Sequence, residues 1–237
     1  FKSKFFLRSE KGCILTDEGE KFYEYSIRLA NEYYEIQSQF NKIKSIKFGI
    51  DMTFPPESLI TVTKDVCTKR KIEAQIIDYD ADYLLSALKS GEIDCLYNYE
   101  FDVPKQVSME HILDDCMVVV LSDKSPLYEK QQIEYVDLLT TDIYFKHHDT
   151  RGSKKITNML SAFSSAYRVH YGMSVEKVKN EMDKGTGVMI VPYIFWKNYM
   201  AEYKYRLFRN EIKIGYYAYS YKNSSEFQTI IKAIIND

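Results

Sequence analysis

Apolar and polar positions along the chain follow three rhythms, and each predicts a different kind of element. Residues 4–8 and 12–15 are short apolar runs around the charged tip Ser9-Glu10-Lys11-Gly12, which is the pattern of a β-hairpin. From Asp17 to about Lys42, Phe22, Tyr25, Leu29, Tyr33, Ile36 and Phe40 recur every three or four residues. That spacing lays one apolar stripe along a helix of roughly 37 Å. Thr16 is placed to cap this helix, and Asp17, Glu18 and Glu20 lie where its dipole favours negative charge. A stripe so long, so early in the chain, calls for a partner, and a second copy of the same helix is the simplest one.

After Lys42 strand and helix patterns alternate. Strands are predicted at 45–51, 72–79, 93–97 and 116–121, with helices at about 57–69 and 81–90. Gly91 follows the second of these helices, where a left-handed C-cap is expected. The rhythm then restarts with strand 142–146, a helix from about Gly152, strand 168–171 and helix 174–184. GTGVMIVP (185–192) reads as a tight turn into a buried strand, and strand 216–221 and helix 225–235 close the chain. Two such halves predict a mostly parallel sheet in each of two subdomains, with a cleft between them.

Composition narrows the function classes. Apolar residues make up 45% and charged residues 28%, ordinary for a soluble globular protein, and the 21 Tyr read as a compositional bias. A net charge of −2 excludes a surface that is basic overall, so any nucleic-acid contact has to be local. No apolar run has the length of a transmembrane helix, and no signal-peptide pattern is visible. Cys13, Cys67, Cys95 and Cys116 are far apart and form no CxxC pair, which opposes a zinc site or disulfide framework and fits a reducing cytoplasm. Cys95 and Cys116 fall in predicted strands and read as small buried apolar residues. G-x-S-x-G, P-loop, HExxH and dinucleotide fingerprints are all missing, so neither an enzyme nor a cofactor is expected. His147-His148-Asp149 reads as a polar cleft lip rather than a metal site, because neighbours in an extended segment point opposite ways.

The order of these pieces resembles the LysR-type transcriptional regulators. The wing and following helix of that family read roughly F-x-R-x-x-x-G-x-x-L-T-x-x-G, matched here by Phe6, Arg8, Gly12, Leu15, Thr16 and Gly19. LKSGEIDCL (88–96), LDDCMVVVLSDKSPL (113–127) and DKGTGVMIVP (183–192) resemble further family stretches in the same order. The resemblance implies an α/β fold with a two-subdomain, periplasmic-binding-protein-like effector domain, preceded by a wing hairpin and a long linker helix. Its implied boundaries are 1–16 for the wing, 17–42 for the dimerising linker and 45–237 for the effector-binding domain. Subdomain I would take about 45–117 and 221–237, and subdomain II about 118–220. The helices that enter the major groove would precede Phe1.

The implied function is a DNA-binding regulator whose effector domain binds a small metabolite in the cleft and relays it through a linker-helix dimer. Its partners would be DNA, that metabolite and further copies of itself, as a homodimer or homotetramer. The two-lobed plan also admits a solute-binding protein of a transporter. Such a protein would need export and has no use for a wing or an apolar linker stripe.

Site residues follow from the same resemblance. Arg8 and Lys11 would contact phosphates or the minor groove, and Thr16 would be both helix cap and phosphate donor. Lys11 stands where Arg is more usual, with Glu10 beside it, and two such contacts alone would bind DNA poorly. In the cleft, ligands gather at strand exits and helix N-termini. That rule points to Thr53 and Phe54, Asp80 and Ala81, His147, His148 and Thr150, Tyr171 and Gly172, and Thr186 at the glycine turn. Thr53 matches the family's hydroxyl in the first loop. Asp80-Ala81-Asp82 stands where Ser or Thr is usual, which disfavours a simple carboxylate effector unless Arg151 or a protonated His147 offsets it. A ligand bearing an amine or several hydroxyls fits better. The family's peroxide-sensing branch carries redox cysteines in the second half of this domain, and no Cys follows Cys116 here.

Overall fold

The computed structural model of the protein describes residues 3–9, 12–40, 45–51, 57–79, 81–146, 150–164, 167–221 and 225–236. Strands β1 (Phe6–Ser9) and β2 (Gly12–Leu15) form the expected antiparallel hairpin, with Phe6 opposite Leu15. Helix α1 (Asp17–Phe40) follows at once. The hairpin is tied to the first turn of this helix. The Thr16 amide donates to the Phe5 carbonyl at 3.0 Å, and the Thr16 hydroxyl donates to the Lys4 carbonyl at 2.7 Å. That hydroxyl also accepts from the Gly19 amide at 3.0 Å, the N-cap geometry. The Phe5 and Phe22 rings stack at 4.5 Å. Only glycine fits at position 19, because a Cβ there would lie 2.1 Å from the Phe5 carbonyl oxygen.

The first half of the remaining chain runs β3 (Ser45–Ile50), α2 (Glu57–Lys69), β4 (Glu73–Asp78), α3 (Ala81–Ser90) and β5 (Cys95–Tyr99). Its strands are parallel in the order β4-β3-β5. Gly91 has φ +73, the left-handed cap expected of it. Strand β6 (Ser108–Leu121) then crosses to the second lobe, followed by β7 (Gln132–Ile133) and a 3-10 turn at Tyr135–Leu138. The second half repeats the first with β8 (Asp142–Phe145), α4 (Arg151–Phe163), β9 (Arg168–Tyr171), α5 (Val175–Asp183) and β10 (Gly187–Pro192). Its strands are parallel in the equivalent order, β9-β8-β10. Helix α6 (Tyr193–Tyr199), β11 (Lys204–Phe208), β12 (Lys213–Ser220) and α7 (Ser225–Asn236) complete the chain.

Burial explains the layering. Every residue of β5 and of β10 is buried, as befits central strands covered on both faces. The last five residues of β6 are also fully buried, whereas its first part is half-exposed. Helix α7 places Phe227, Ile230, Ile231 and Ile234 in the core and packs on α2, so the end of the chain returns to the first lobe. A satellite core lies under α3, built on Leu84, Leu88, Ile93 and Leu96.

The sheet departs from the parallel expectation at its centre. Strand β12 is antiparallel to both β5 and β6, and β10 and β11 are antiparallel to β6. One path therefore joins both halves, β4-β3-β5-β12-β6-β10-β8-β9. The predicted strand 116–121 is only the buried end of β6. The rest of it, with His111, Asp114 and Asp115, has too many charged positions for a strand pattern to stand out. Strand β7, helix α6 and strand β11 were also not predicted; all three are short.

Candidate functional site

A cleft opens where the two lobes meet. The first lobe contributes Asn98, Tyr99 and Glu100, at the exit of β5. The second contributes Phe145 and Lys146 at the exit of β8, and Ile190, Val191 and Pro192 at the exit of β10. Thr150 and Gly152, at the start of α4, form the lip, and Met117 and Ile214 form the floor. Gly152 packs closely on this floor: a Cβ there would sit 3.0 Å from the Met117 sulfur and 3.1 Å from Ile214, so those side chains would have to give by a few tenths of an ångström. The cavity between these walls is about 20 Å³, room for one water.

Charges face one another across the cleft. Asp51, just past β3, is 6% exposed, and the Lys146 ammonium of the opposite lobe lies 3.6 Å from its Oδ1. Beside it in the first lobe, the Tyr216 hydroxyl is buried without a hydrogen-bond partner among the described residues. Burial, and then the Asp51 charge, push the Tyr216 phenol far above its ordinary pKa. At the lip, the Arg151 amide donates to the Glu100 carbonyl at 2.8 Å, and the two side chains pair. Lys154 reaches Asp102 at 2.8 Å, and Phe101 bridges to Thr150. In all three ion pairs the acid belongs to the first lobe and the base to the second.

The crossing strands join the lobes, and there the Met117 amide donates to the Ile212 carbonyl at 2.9 Å. Asp115 bolts this crossing. Its carboxylate accepts from the Tyr99 hydroxyl at 2.7 Å, the Cys116 amide at 2.7 Å and the Ile194 amide at 3.2 Å. Those donors come from the first lobe, the crossing strand and the start of α6 in the second lobe. Burial raises the Asp115 pKa, and these hydrogen bonds oppose the rise.

The sequence-predicted residues divide into three groups. Thr150 is at the cleft and caps α4, accepting from the Ser153 amide at 3.3 Å. Tyr171 ends the edge strand β9 and stacks on Phe145 at 5.7 Å, so it backs the cleft wall from one strand further out. Gly172 follows with φ +69. Thr186 lies at the entry of β10, whereas the cleft is at the exit, by Pro192. Its hydroxyl donates to the Glu181 carbonyl at 2.8 Å. The glycine turn precedes its strand, and a strand's two ends face opposite sides of the lobe. Thr53, Phe54, Asp80, His147 and His148 lie outside the described residues, and Ala81 is described only as the first residue of α3.

At the other end of the chain, Arg8 pairs with Cys13 across the hairpin, while its side chain and all of Lys11 lie outside the described residues. The Thr16 hydroxyl donates its single hydrogen to the Lys4 carbonyl and caps α1 by accepting from the Gly19 amide. Along α1, Phe22 is covered in part by Phe5, and the Arg28 guanidinium lies 4.3 Å over the Tyr25 ring. Leu29, Tyr33 and Ile36 remain 69%, 58% and 57% exposed. The Phe40 side chain lies outside the described residues. Among the described residues no three His, Cys, Asp or Glu side chains converge as a metal site would require.

Sequence reasoning missed Asp51, Asn98, Tyr99, Glu100, Lys146 and the β10 exit. The rule about strand exits would have found most of them had β5 been extended to Tyr99. The floor residues Met117 and Ile214 carried no local signal, because only the antiparallel crossing brings them there.

Comparison with known proteins agrees with this architecture. The LysR substrate binding domain family matches residues 45–234. None of the curated proteins searched matches the chain. Among solved structures, a cysteine-to-aspartate variant of full-length OxyR from Pseudomonas aeruginosa superposes with a TM-score of 0.67 at 15% identity, over 97% of this chain and 79% of that one. Full-length BenM carrying a glutamate-to-lysine substitution gives 0.64 at 16%, over 98% and 80%. A hydrogen-peroxide-bound cysteine-to-serine mutant of OxyR from Corynebacterium glutamicum gives 0.61 at 18%, over 98% and 78%. At such identities these likenesses bear on the fold alone, which is the two-lobed, periplasmic-binding-protein-like one. Because the family match spans most of the chain, the protein belongs to the LysR-type transcriptional regulators, with residues 45–234 as its substrate-binding domain.

Proposed function

We propose that the inter-lobe cleft binds a small effector and that α1 carries the consequence to a second copy of the chain. In this reading residues 1–16 are the wing, 17–42 the dimerising linker and 45–237 the effector-binding domain. The observation that carries it is the stripe on α1. Leu29, Tyr33 and Ile36 stand exposed on one helix, directly ahead of a domain built from two lobes and the strands that cross between them. A solute-binding protein has no use for such a stripe. Effector binding changes the lobe angle only if the ligand binds one arrangement more tightly than another. The ion pairs across the cleft and the Asp115 bolt are the contacts that would report the change.

Arg8 and Lys11 are assigned as cations for a DNA backbone, since a basic group gains from the phosphate field. The protein binds its effector without transforming it and works in the cytoplasm. No helix among the described residues is long and apolar enough to cross a membrane. The structural likeness to OxyR does not bring thiol chemistry with it. No Cys follows Cys116, Cys67 and Cys95 are buried, and burial pushes the Cys116 thiol up to about 11. Light scattering on the chain tests the proposal. A dimer or tetramer at micromolar concentration is expected, and a monomer would return the solute-binding reading.

A further inference from the structure

We propose that a groove beside α4 on the second lobe binds a medium-chain fatty acid, its carboxylate near Lys155 and Lys213 and its alkyl chain along the helix past Met159. The groove lies outside the cleft cavity, so the inference stands apart from the effector reading. On α4, Arg151, Lys155, Met159 and Phe163 follow one another at intervals of four residues, which sets them in one row along the helix. Two cations are thus followed by two apolar side chains, and Met159 and Phe163 are 41% and 54% exposed. The second wall is the chain between Phe208 and Ile214, with Phe208 at the apolar end and Lys213 at the basic end. Two hollows lie between these walls, about 590 Å³ at the basic end and about 240 Å³ at the apolar end, and Met159 lines both.

The charges along the groove are unevenly paired. Arg151 pairs with Glu100 and Lys154 with Asp102, whereas Lys155 and Lys213 make no ion pair among the described residues. Among the described residues that line the basic end, Glu100 is the one acid, so an anion entering there meets excess positive charge. At the far end Glu134 and Arg209 neutralise each other, and the surface beside them is Tyr135, Val136, Phe163 and Phe208. A ligand matched to both ends has a negative head and an apolar tail. An inorganic anion leaves the apolar end open to water, and a neutral hydrocarbon leaves the two lysines unanswered. From Lys155 to Phe163 the helix rises roughly 12 Å, the length of roughly nine methylenes at about 1.3 Å each. A saturated acid of about ten carbons fits that row.

Calorimetry on the full chain with hexanoate, decanoate and tetradecanoate, each below its micelle concentration, tests the assignment. A half-buried methylene gains about twofold in affinity, so decanoate should bind roughly 15-fold more tightly than hexanoate. The gain should then stop, with tetradecanoate within about threefold of decanoate, because the longer tail outruns the row. Decyltrimethylammonium has a tail of the same length and the opposite charge, and should bind at least about 10-fold more weakly than decanoate. The double variant Lys155→Glu/Lys213→Glu should reverse that preference, and Met159→Glu should weaken decanoate by at least about 10-fold. All three positions are exposed, so both variants should melt with wild type. Affinity that keeps rising to tetradecanoate, equal binding of the two head groups, or decanoate binding that survives the double reversal overturns the proposal. So does a failure of decanoate to bind; if Met159→Glu then also dissociates the oligomer, the groove is an interface between copies of the chain.

Discussion

Replacing Gly19 by alanine should loosen the hairpin while strengthening the helix that carries it. The added Cβ would lie 2.1 Å from the Phe5 carbonyl oxygen, with Leu15 at 3.1 Å, so the strand entering the hairpin has to move by about an ångström. Three contacts depend on its present position: Thr16 to Phe5 at 3.0 Å, Thr16 to Lys4 at 2.7 Å, and the Phe5–Phe22 stack at 4.5 Å. Two hydrogen bonds at a net of about 1 kcal/mol each and a ring pair at about 1 kcal/mol give roughly 3 kcal/mol of docking lost. Against this, alanine is favoured over glycine in a helix by about 1 kcal/mol. That gain acts on α1 whether or not the hairpin is docked, so the loss of about 3 kcal/mol falls on docking and corresponds to a roughly 150-fold larger open population of the hairpin. Hydrogen exchange followed by mass spectrometry separates the two effects. Peptides covering residues 6–15 should exchange roughly 150-fold faster, while those within α1 are unchanged or slower. Wild-type protection of the hairpin in Gly19→Ala would refute the argument, because it would mean the close approach does not set the docking.

Leu29→Glu should turn the oligomer into a monomer in sedimentation velocity, since it places a charge in the centre of the stripe. Leu29→Ala should weaken association by roughly 30- to 1000-fold, from about 1–2 kcal/mol of apolar burial lost on each of two helices. Tyr99→Phe removes one of the donors to Asp115 and should cost about 1.5–3 kcal/mol. A Tm lower by roughly 3–10 °C in calorimetry is the expected readout, and an unchanged Tm would show that the bolt contributes nothing. Asp142 is held below its ordinary pKa; burial alone would raise it, but hydrogen bonds from His170 and Arg168 prevail. A lowered carboxylate pKa stabilises above its unfolded value near 3.9 and ceases to do so as pH falls through the folded value. Asp142→Asn should therefore melt below wild type at pH 7, with the difference closing under about pH 4.

The sequence motif at the start of the chain acquires a physical meaning from these contacts. Thr16 recurs in the family pattern as a cap, and Gly19 as the position that admits the Phe5 carbonyl. Both could be named from the sequence, but the reason for the glycine could not. Phe5 lies far from Gly19 along the chain, and only the folded hairpin brings its carbonyl to the helix. The cleft behaves in the same way. Thr150 caps α4, a position that a local rule about helix starts can name. Thr186 lies at the entry of β10, away from the cleft at its exit, and a glycine turn looks alike at either end of a strand.

What the sequence alone determined was therefore the periodic content: the stripe of α1, the two βαβ halves, and the caps at Thr16 and Gly91. Those features depend on residues within a turn or two of each other, so they are legible wherever the chain is read. The tertiary structure decided what faces what. The antiparallel crossing of β6 and β12 put Met117 and Ile214 under the cleft and set Asp51 of one lobe against Lys146 of the other. A charge pair between distant segments leaves no mark on either segment's periodicity. It exists only because the sheet order places the exits of β3 and β8 on facing walls.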